Sequence, residues 1–544
     1  MSRREALLSA LGLFAVALIV RAIFASQIVF PKPEDTAYYV GVAQNLLEGR
    51  GLVSDALWSY QTPPLELGRD AFEVWMPLPT FLAVIPMALF GPTFAAAQVS
   101  SVIVGALVPV LAWRLAADVA AERGLSPERA RTLALGTGMT TAVYLPLLLH
   151  SALPDSTMPY TAFVLAACLL MTRVVSDPRG GSPTDLRLVG LGVVLGLAAL
   201  TRNETAWLAL IWAALAWFTV SAPAAVRIRL IAVVAVVAMI VFAPWAIRNL
   251  IVIGSPLPSQ AAANALYLSG FDIFAWNDPP TLSRYLALGP ARLLELRVEG
   301  TAHNLFNVLL LLGIPVSVVG VLALPWQAGG RALRPLVWIS LIMFLFTSLV
   351  FPAATQWGTF LHAAGPVHVL LVISALLALD AGMARLAVRM GWERPVSWLG
   401  AALGVFGSAL FSVVLLSSFG SGSADTARTY DELARRMAAI GHPLDQDAGP
   451  VISNFPIWMA ETQGIPALAL PNEPPTDVLD LASAFPGTRL VVLINPQGSH
   501  WPADVDAGVA GSECFQELDL GPPTDPSRAD PLGATRVFEI VCHE

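Results

Sequence analysis

The chain has 544 residues, of which 56% are hydrophobic and 13% charged, with a mean hydropathy of +0.67 and a formal net charge of −8. Soluble domains carry roughly 25% charged residues, so the composition excludes a soluble enzyme and defines a polytopic membrane protein. It offers no basic tract for nucleic acid.

The opening stretch, MSRREALLSALGLFAVALIV, has the layout of a signal peptide with a weak cleavage site at AIFAS. Many apolar stretches follow it, so it is read as a retained first helix. With roughly 20 apolar residues per crossing, spans are predicted at 6–26, 93–117, 131–150, 158–175, 186–201, 204–221, 228–250, 301–323, 336–351, 366–384 and 397–418. That is an α-helical polytopic fold of about eleven transmembrane helices. The segment VWMPLPTFLAVIPMALFG, ending near residue 92, is apolar but short and proline-rich. It is predicted to lie in the membrane interface or dip into it.

Lys32 is the only lysine, so topology is read from arginine. Arg3 and Arg4 precede the first span; Arg114, Arg123, Arg129 and Arg131 surround the second-to-third loop. Arg173, Arg179, Arg187, Arg227 and Arg229 border the next two even-numbered loops, and Arg331, Arg334, Arg385, Arg389 and Arg394 complete the series. All fall on one side of an eleven-span chain, which puts the amino end in the cytoplasm and the carboxyl end outside. Three outer segments result: a long first loop (27–92), the brief HSALPDSTMP, and a stretch from about Gly254 to Gly300.

Residues 1–419 form the expected transmembrane domain and 420–544 an extracytoplasmic accessory domain. From Asp425 onward there are eighteen Asp/Glu against six Arg, an acidic tail. Its short apolar strands, in GPVISNFPIWMAETQGIPALAL and TRLVVLINPQ, alternate with helical patterns such as PTDVLDLASAF, as in a small α/β module. Cys514 and Cys542 both lie there and could pair if the tail is outside, or remain two free thiols. Cys168, in an apolar span, reads as a small core residue.

The acidic pair Glu34 and Asp35 follows the first span, at the outer rim of the membrane. Pro33-Glu34-Asp35-Thr36 also reads as a capped helix start, and a cap and a base are compatible roles. Asp155, in HSALPDSTMP with His150 close by, is the second acidic candidate. Asp70 and Glu73 are weaker ones. Arg21, Arg202 and Arg248 stand apart from the cytoplasmic clusters, and charge at membrane depth is costly and usually paired or functional. They are candidates for phosphate contact, with snorkelling or the Arg202–Glu204 ion pair as the structural alternative. His303, His362 and His368 lie near outer span ends without a spacing such as HxxxH, so a divalent metal is possible but not indicated. There is no Walker loop, no GxGxxG in a strand–helix setting and no GxSxG.

The segments EDTAYYVGVAQNLLEGRGL, MPLPTFLAVIPMALFG, VVLGLAALTRNE, FAPWAIRNLIVIGSPLP and TQWGTFLHAAGPVHVLL, in that order, resemble the GT-C superfamily of membrane glycosyltransferases. The likeness is to the group of protein O-mannosyltransferases, aminoarabinose transferases and RgtA/B/C/D-like proteins, and covers roughly the first 420 residues. It implies a polyprenyl-phosphate sugar as donor and a glycan, lipid or protein as acceptor outside the cell membrane. It also implies a catalytic acid in the first loop, at Asp35 with Glu34 beside it, and a second acid at Asp155. The group's pair runs Asp-Glu whereas this one runs Glu-Asp; Asp35, nearer the Tyr38–Tyr39 helix, is taken as the base. The expected activity is an inverting single displacement. A secondary transporter and a non-catalytic scaffold of the same fold are the alternatives.

Overall fold

The computed structural model describes residues 2–177, 185–257, 260–392, 396–445, 449–527 and 529–542. Arg179 and Arg394, used in the topology reading, lie outside these residues. Helix α1 (Arg3–Ala25) starts at a reciprocal cap: Ser2 Oγ accepts from the Glu5 backbone N–H while Glu5 accepts from that of Ser2. An extended turn leads into α2 (Glu34–Leu47), which bears the acidic pair in its first turn. Three two-residue strands follow, β1 (Val53–Ser54), β2 (Ala56–Leu57) and β3 (Arg69–Asp70).

The proline-rich segment is α3 (Leu78–Phe90). At 13 residues it is about 20 Å long, too short for a hydrocarbon core of about 30 Å. Next come α4 (Phe94–Glu122), α5 (Pro127–Val143), α6 (Leu145–Ser151), α7 (Thr157–Ser176), α8 (Leu186–Ala199), α9 (Thr205–Thr219) and α10 (Ala224–Val252). The stretch between α10 and α13, predicted from the sequence to lie outside, holds the short α11 (Gln260–Asn264) and α12 (Leu282–Ala287). After it come α13 (Gly289–Ala302), α14 (Val316–Gln327), α15 (Arg334–Val350), α16 (Thr359–Ala363), α17 (Gly365–Arg389) and α18 (Ser397–Ala439).

All eleven predicted spans are helical, but they do not all cross by length. Among the described residues six helices (α1, α4, α7, α10, α17, α18) are long and apolar enough, or up to eight spans if each of two bent pairs is one. One pair, α5 with α6, bends by 54° beside Pro146, whose ring removes a backbone donor. The other bends by 115° before α14, near Pro315. Helices α8, α9 and α15 have only 14, 15 and 17 residues, the first two shorter than the predicted spans 186–201 and 204–221. Helices α7 and α17 are the most enclosed, with 67% and 61% of their apolar windows buried; at 17%, α10 turns most of its surface outward.

Helix α18 runs unbroken through Gly420 into the acidic tail. The tail then alternates β4 (Val451–Ser453), α19 (Pro456–Gln463), β5 (Ala467–Ala469), α20 (Pro475–Ala484), β6 (Leu490–Leu493), α21 (Trp501–Asp506), β7 (Phe515–Glu517) and β8 (Arg536–Ile540), the α/β module expected. Its sheet has the order β2-β5-β4-β6-β8-β7. The β5-β4-β6 centre is parallel and the last two pairings antiparallel. The edge strand β2 comes from the first loop, pairing Ala56 with Ala467 and Leu57 with Leu468. Cys514 and Cys542 are joined as a disulfide, with Cα atoms 5.0 Å apart; Cys168 is free and buried.

Candidate active site

A cavity of about 600 Å³ opens where the first loop, the α8–α9 turn, the α11–α12 stretch before α13, the α15–α16 connection and the tail meet. Its charged lining consists of Glu34, Asp35, Arg202, Glu204 and His362. Aromatic walls come from Trp58 and Trp75 of the first loop, Trp207 and Phe346 of the helices, and Phe455 and Trp458 of the tail.

Asp35 is in the first turn of α2, where Asp35 Oδ1 accepts from the Thr36 N–H at 2.9 Å. Its other oxygen, Oδ2, faces His362 Nε2 at 3.1 Å. The opposite edge of the same ring meets Asp155: His362 Nδ1 lies 3.4 Å from Asp155 Oδ2 and 3.1 Å from Thr157 Oγ1. Asp155 is held in turn by His150 Nδ1 at 2.9 Å and by the Thr157 N–H at 2.8 Å. The two predicted acids, 120 residues apart in number, thus share one imidazole.

The electrostatics follow from burial. Burial lifts Asp35 above the usual carboxylate range, and Asp155 adds to the rise, while His362 and His150 oppose it. Burial would also lift Asp155, but His150 and His362 outweigh it and hold that carboxyl well below the usual range. At His362, burial disfavours the charged form, yet Asp35 and Asp155 prevail and raise its pKa.

Arg202 sits at the α8–α9 turn. Its Nε and Nη2 donate to Glu204 at 3.2 and 2.5 Å, its Nη1 to Ser156 Oγ at 2.8 Å, and the guanidinium lies 6.0 Å from the Tyr160 ring centre. Among the described residues lining the cavity it is the only arginine or lysine.

Two predicted arginines stand elsewhere. Arg21 is fully buried and donates to Ser151 Oγ at 2.9 Å and to the carbonyls of Ala142 and Thr141. It ties α1 to α6 and the end of α5 and is absent from the cavity lining. Arg248 donates to the Ala71 carbonyl at 2.9 Å and to Asp70 at 3.3 Å, beside the cavity wall but not in its lining. Glu73 is buried against Arg69, at 3.4 Å, and the Tyr38 hydroxyl.

Glu34 lines the cavity, but one of its oxygens accepts from the Ile457 and Trp458 N–H groups at 3.0 and 3.4 Å, capping α19 of the tail. Burial pushes it up to about 8 despite those bonds. Trp458 Nε1 also donates to the Pro31 carbonyl at 2.8 Å. Sequence reading missed that the tail helps wall the site, and it left His362 without a role although its place at an outer span end was visible. His150, Asp155 and His362 each offer one ligand atom within 4.8 Å of the others. Two imidazoles and a carboxylate suit a zinc-type divalent ion, and these residues would hold one.

No family model and no curated protein matches the sequence. Solved structures match in fold, and the fold is the one the GT-C membrane glycosyltransferases share. The structures in question are those of ArnT, an aminoarabinose transferase, from Cupriavidus metallidurans. The apo form and the form bound to undecaprenyl phosphate superpose with TM-scores of 0.55 and 0.56, at 13% identity, over 97% of each chain. The oligosaccharyltransferase AglB from Archaeoglobus fulgidus aligns at a TM-score of 0.46, with 12% identity over 88% of this chain and 69% of its own, too low to add to the assignment.

Proposed function

We propose that this chain is a membrane glycosyltransferase that moves a sugar from a polyprenyl-phosphate donor to a hydroxyl of an extracytoplasmic acceptor. The observation that carries the reading is one cavity holding a buried carboxylate, Asp35, and a guanidinium, Arg202, between membrane helices and an exposed α/β module. Undecaprenyl phosphate bound to ArnT, of the same fold, is the precedent for the donor class.

In the proposed step Asp35 takes the proton of the acceptor hydroxyl as its oxygen bonds to the anomeric carbon. The bond from that carbon to the phosphate oxygen breaks, and its electrons leave with the lipid phosphate. That anion needs a cation, and Arg202 supplies it. His362 keeps Asp35 ionised and oriented, and Asp155 orients His362 in turn. A single displacement inverts the anomeric centre.

The arginine pattern supports a cytoplasmic amino end, and so an outer site and an extracytoplasmic tail. We treat 1–419 as the catalytic membrane domain and 420–544 as an accessory domain that closes the cavity. Radiolabelled polyprenyl-phosphate sugar, given to the purified protein with candidate glycan, lipid and peptide acceptors, tests the reading. Transfer to an acceptor supports it; donor binding with no turnover on any acceptor would make the chain a scaffold.

A further inference from the structure

The one guanidinium among the described residues lining the cavity is already occupied. Arg202 uses Nε and Nη2, the edge that binds an oxyanion with two parallel bonds, on the two oxygens of Glu204 at 3.2 and 2.5 Å. Both side chains are only slightly exposed, 13% and 15%, and both line the cavity. An incoming phosphate would meet the carboxylates of Asp35 and Glu204 around a satisfied cation, and like-charge repulsion disfavours entry.

The rest of the Arg202 environment does not depend on Glu204. Its Nη1 donates to Ser156 Oγ at 2.8 Å, Nη2 reaches the Thr359 carbonyl at 3.4 Å, and the guanidinium is 6.0 Å from the centre of the Tyr160 ring. These contacts come from two other places in the chain, the start of α7 and Thr359 of α16, and keep the guanidinium in position when Glu204 swings away. Glu204 itself immediately precedes α9, at a turn bordering open cavity, so it has space to move into.

We infer that Glu204 is a placeholder for the donor's phosphate: it occupies the bidentate edge of Arg202 in the empty site and is exchanged for phosphate oxygens when the lipid binds. This rests on the lipid-phosphate reading of the cavity and adds a residue that tunes donor affinity. No bond is made or broken in the exchange, only one anion substituted for another on the same two N–H groups. A carboxylate that competes for this edge weakens phosphate binding by about the worth of a charge-assisted hydrogen bond, roughly tenfold in affinity.

The test is binding of a polyprenyl monophosphate, with the matching polyprenol as the uncharged probe, to the full-length wild type and to Glu204→Gln in nanodiscs. The glutamine variant is expected to bind the monophosphate about tenfold more tightly and the polyprenol unchanged. Glu204→Asp, whose shorter arm reaches the fork less well, is expected between the two. Equal or weaker monophosphate binding by folded Glu204→Gln would overturn the placeholder, because Glu204 would then be orienting Arg202. A wild type that does not distinguish monophosphate from polyprenol would instead overturn the lipid-phosphate reading, and the placeholder with it.

Discussion

Replacing His362 with asparagine should move the acid limb of the activity profile to higher pH. His362 Nε2 lies 3.1 Å from Asp35 Oδ2; at an effective dielectric near 20 a full ion pair at that distance is worth at most about 5 kcal/mol. Part of this is offset by taking the imidazolium out of water, so a shift of about 1–2 units is expected, as for other carboxylates beside a cation. The sign follows from the chemistry. Asp35 works as a carboxylate, burial already raises its pKa, and His362 is the largest influence opposing that rise. Without the ring the pKa climbs further, so activity is lost at a higher pH as the solution is acidified. The loss also brings Asp155 and Asp35 together without a cation between them, which pushes the same way. The assay is kcat/KM against pH with purified protein and labelled donor lipid. An acid limb that stays in place or moves down in a folded His362→Asn protein would refute the reasoning.

Arg202→Ala should raise KM for the donor lipid at least tenfold, the worth of a lost charge-assisted contact, measured by initial rates at varied donor. Arg21→Ala should leave that KM unchanged in the protein that folds but lower the unfolding temperature, since it orphans three buried hydrogen-bond acceptors; thermal unfolding in detergent reads it. Glu34 has a folded pKa near 8, above its unfolded value, so the stability linked to its proton is full below about pH 4.3. It is lost progressively as pH rises from there to about 8, so Glu34→Gln should flatten the fall in unfolding temperature between about pH 4 and 8. Replacing Cys514 and Cys542 with serine opens a 28-residue link and should cost the tail about 3–4 kcal/mol, seen as faster proteolysis of the module.

What could be read from the sequence was what local pattern determines. Apolar length gave the helices, and strand-turn alternation gave the tail's sheet at Val451, Ala467 and Leu490. Span number was less legible, because 14- and 15-residue helices such as α8 and α9 look like spans in composition but not in length. The same is true of the site. Asp35, Asp155 and Arg202 announced themselves as charges beside membrane helices, and the fold brings all three to one place. Arg21 carried the same signal and went elsewhere, since a charge at membrane depth is equally explained by buried carbonyls that need a donor. His362 could not be joined to Asp35 from sequence, because 327 positions separate them and only the tertiary fold sets the two side chains together. Nor could β2 be foreseen, since two residues of a loop become a strand only because β5 offers an edge.

The most direct test of the account is single-turnover transfer by Asp35→Asn with labelled polyprenyl-phosphate sugar. The amide keeps the shape but cannot accept the proton, so donor binding should stay within about threefold while transfer falls at least a hundredfold, as for loss of a general base. Transfer at the wild-type rate in the folded variant would contradict the account, and the base would have to be sought elsewhere in the cavity.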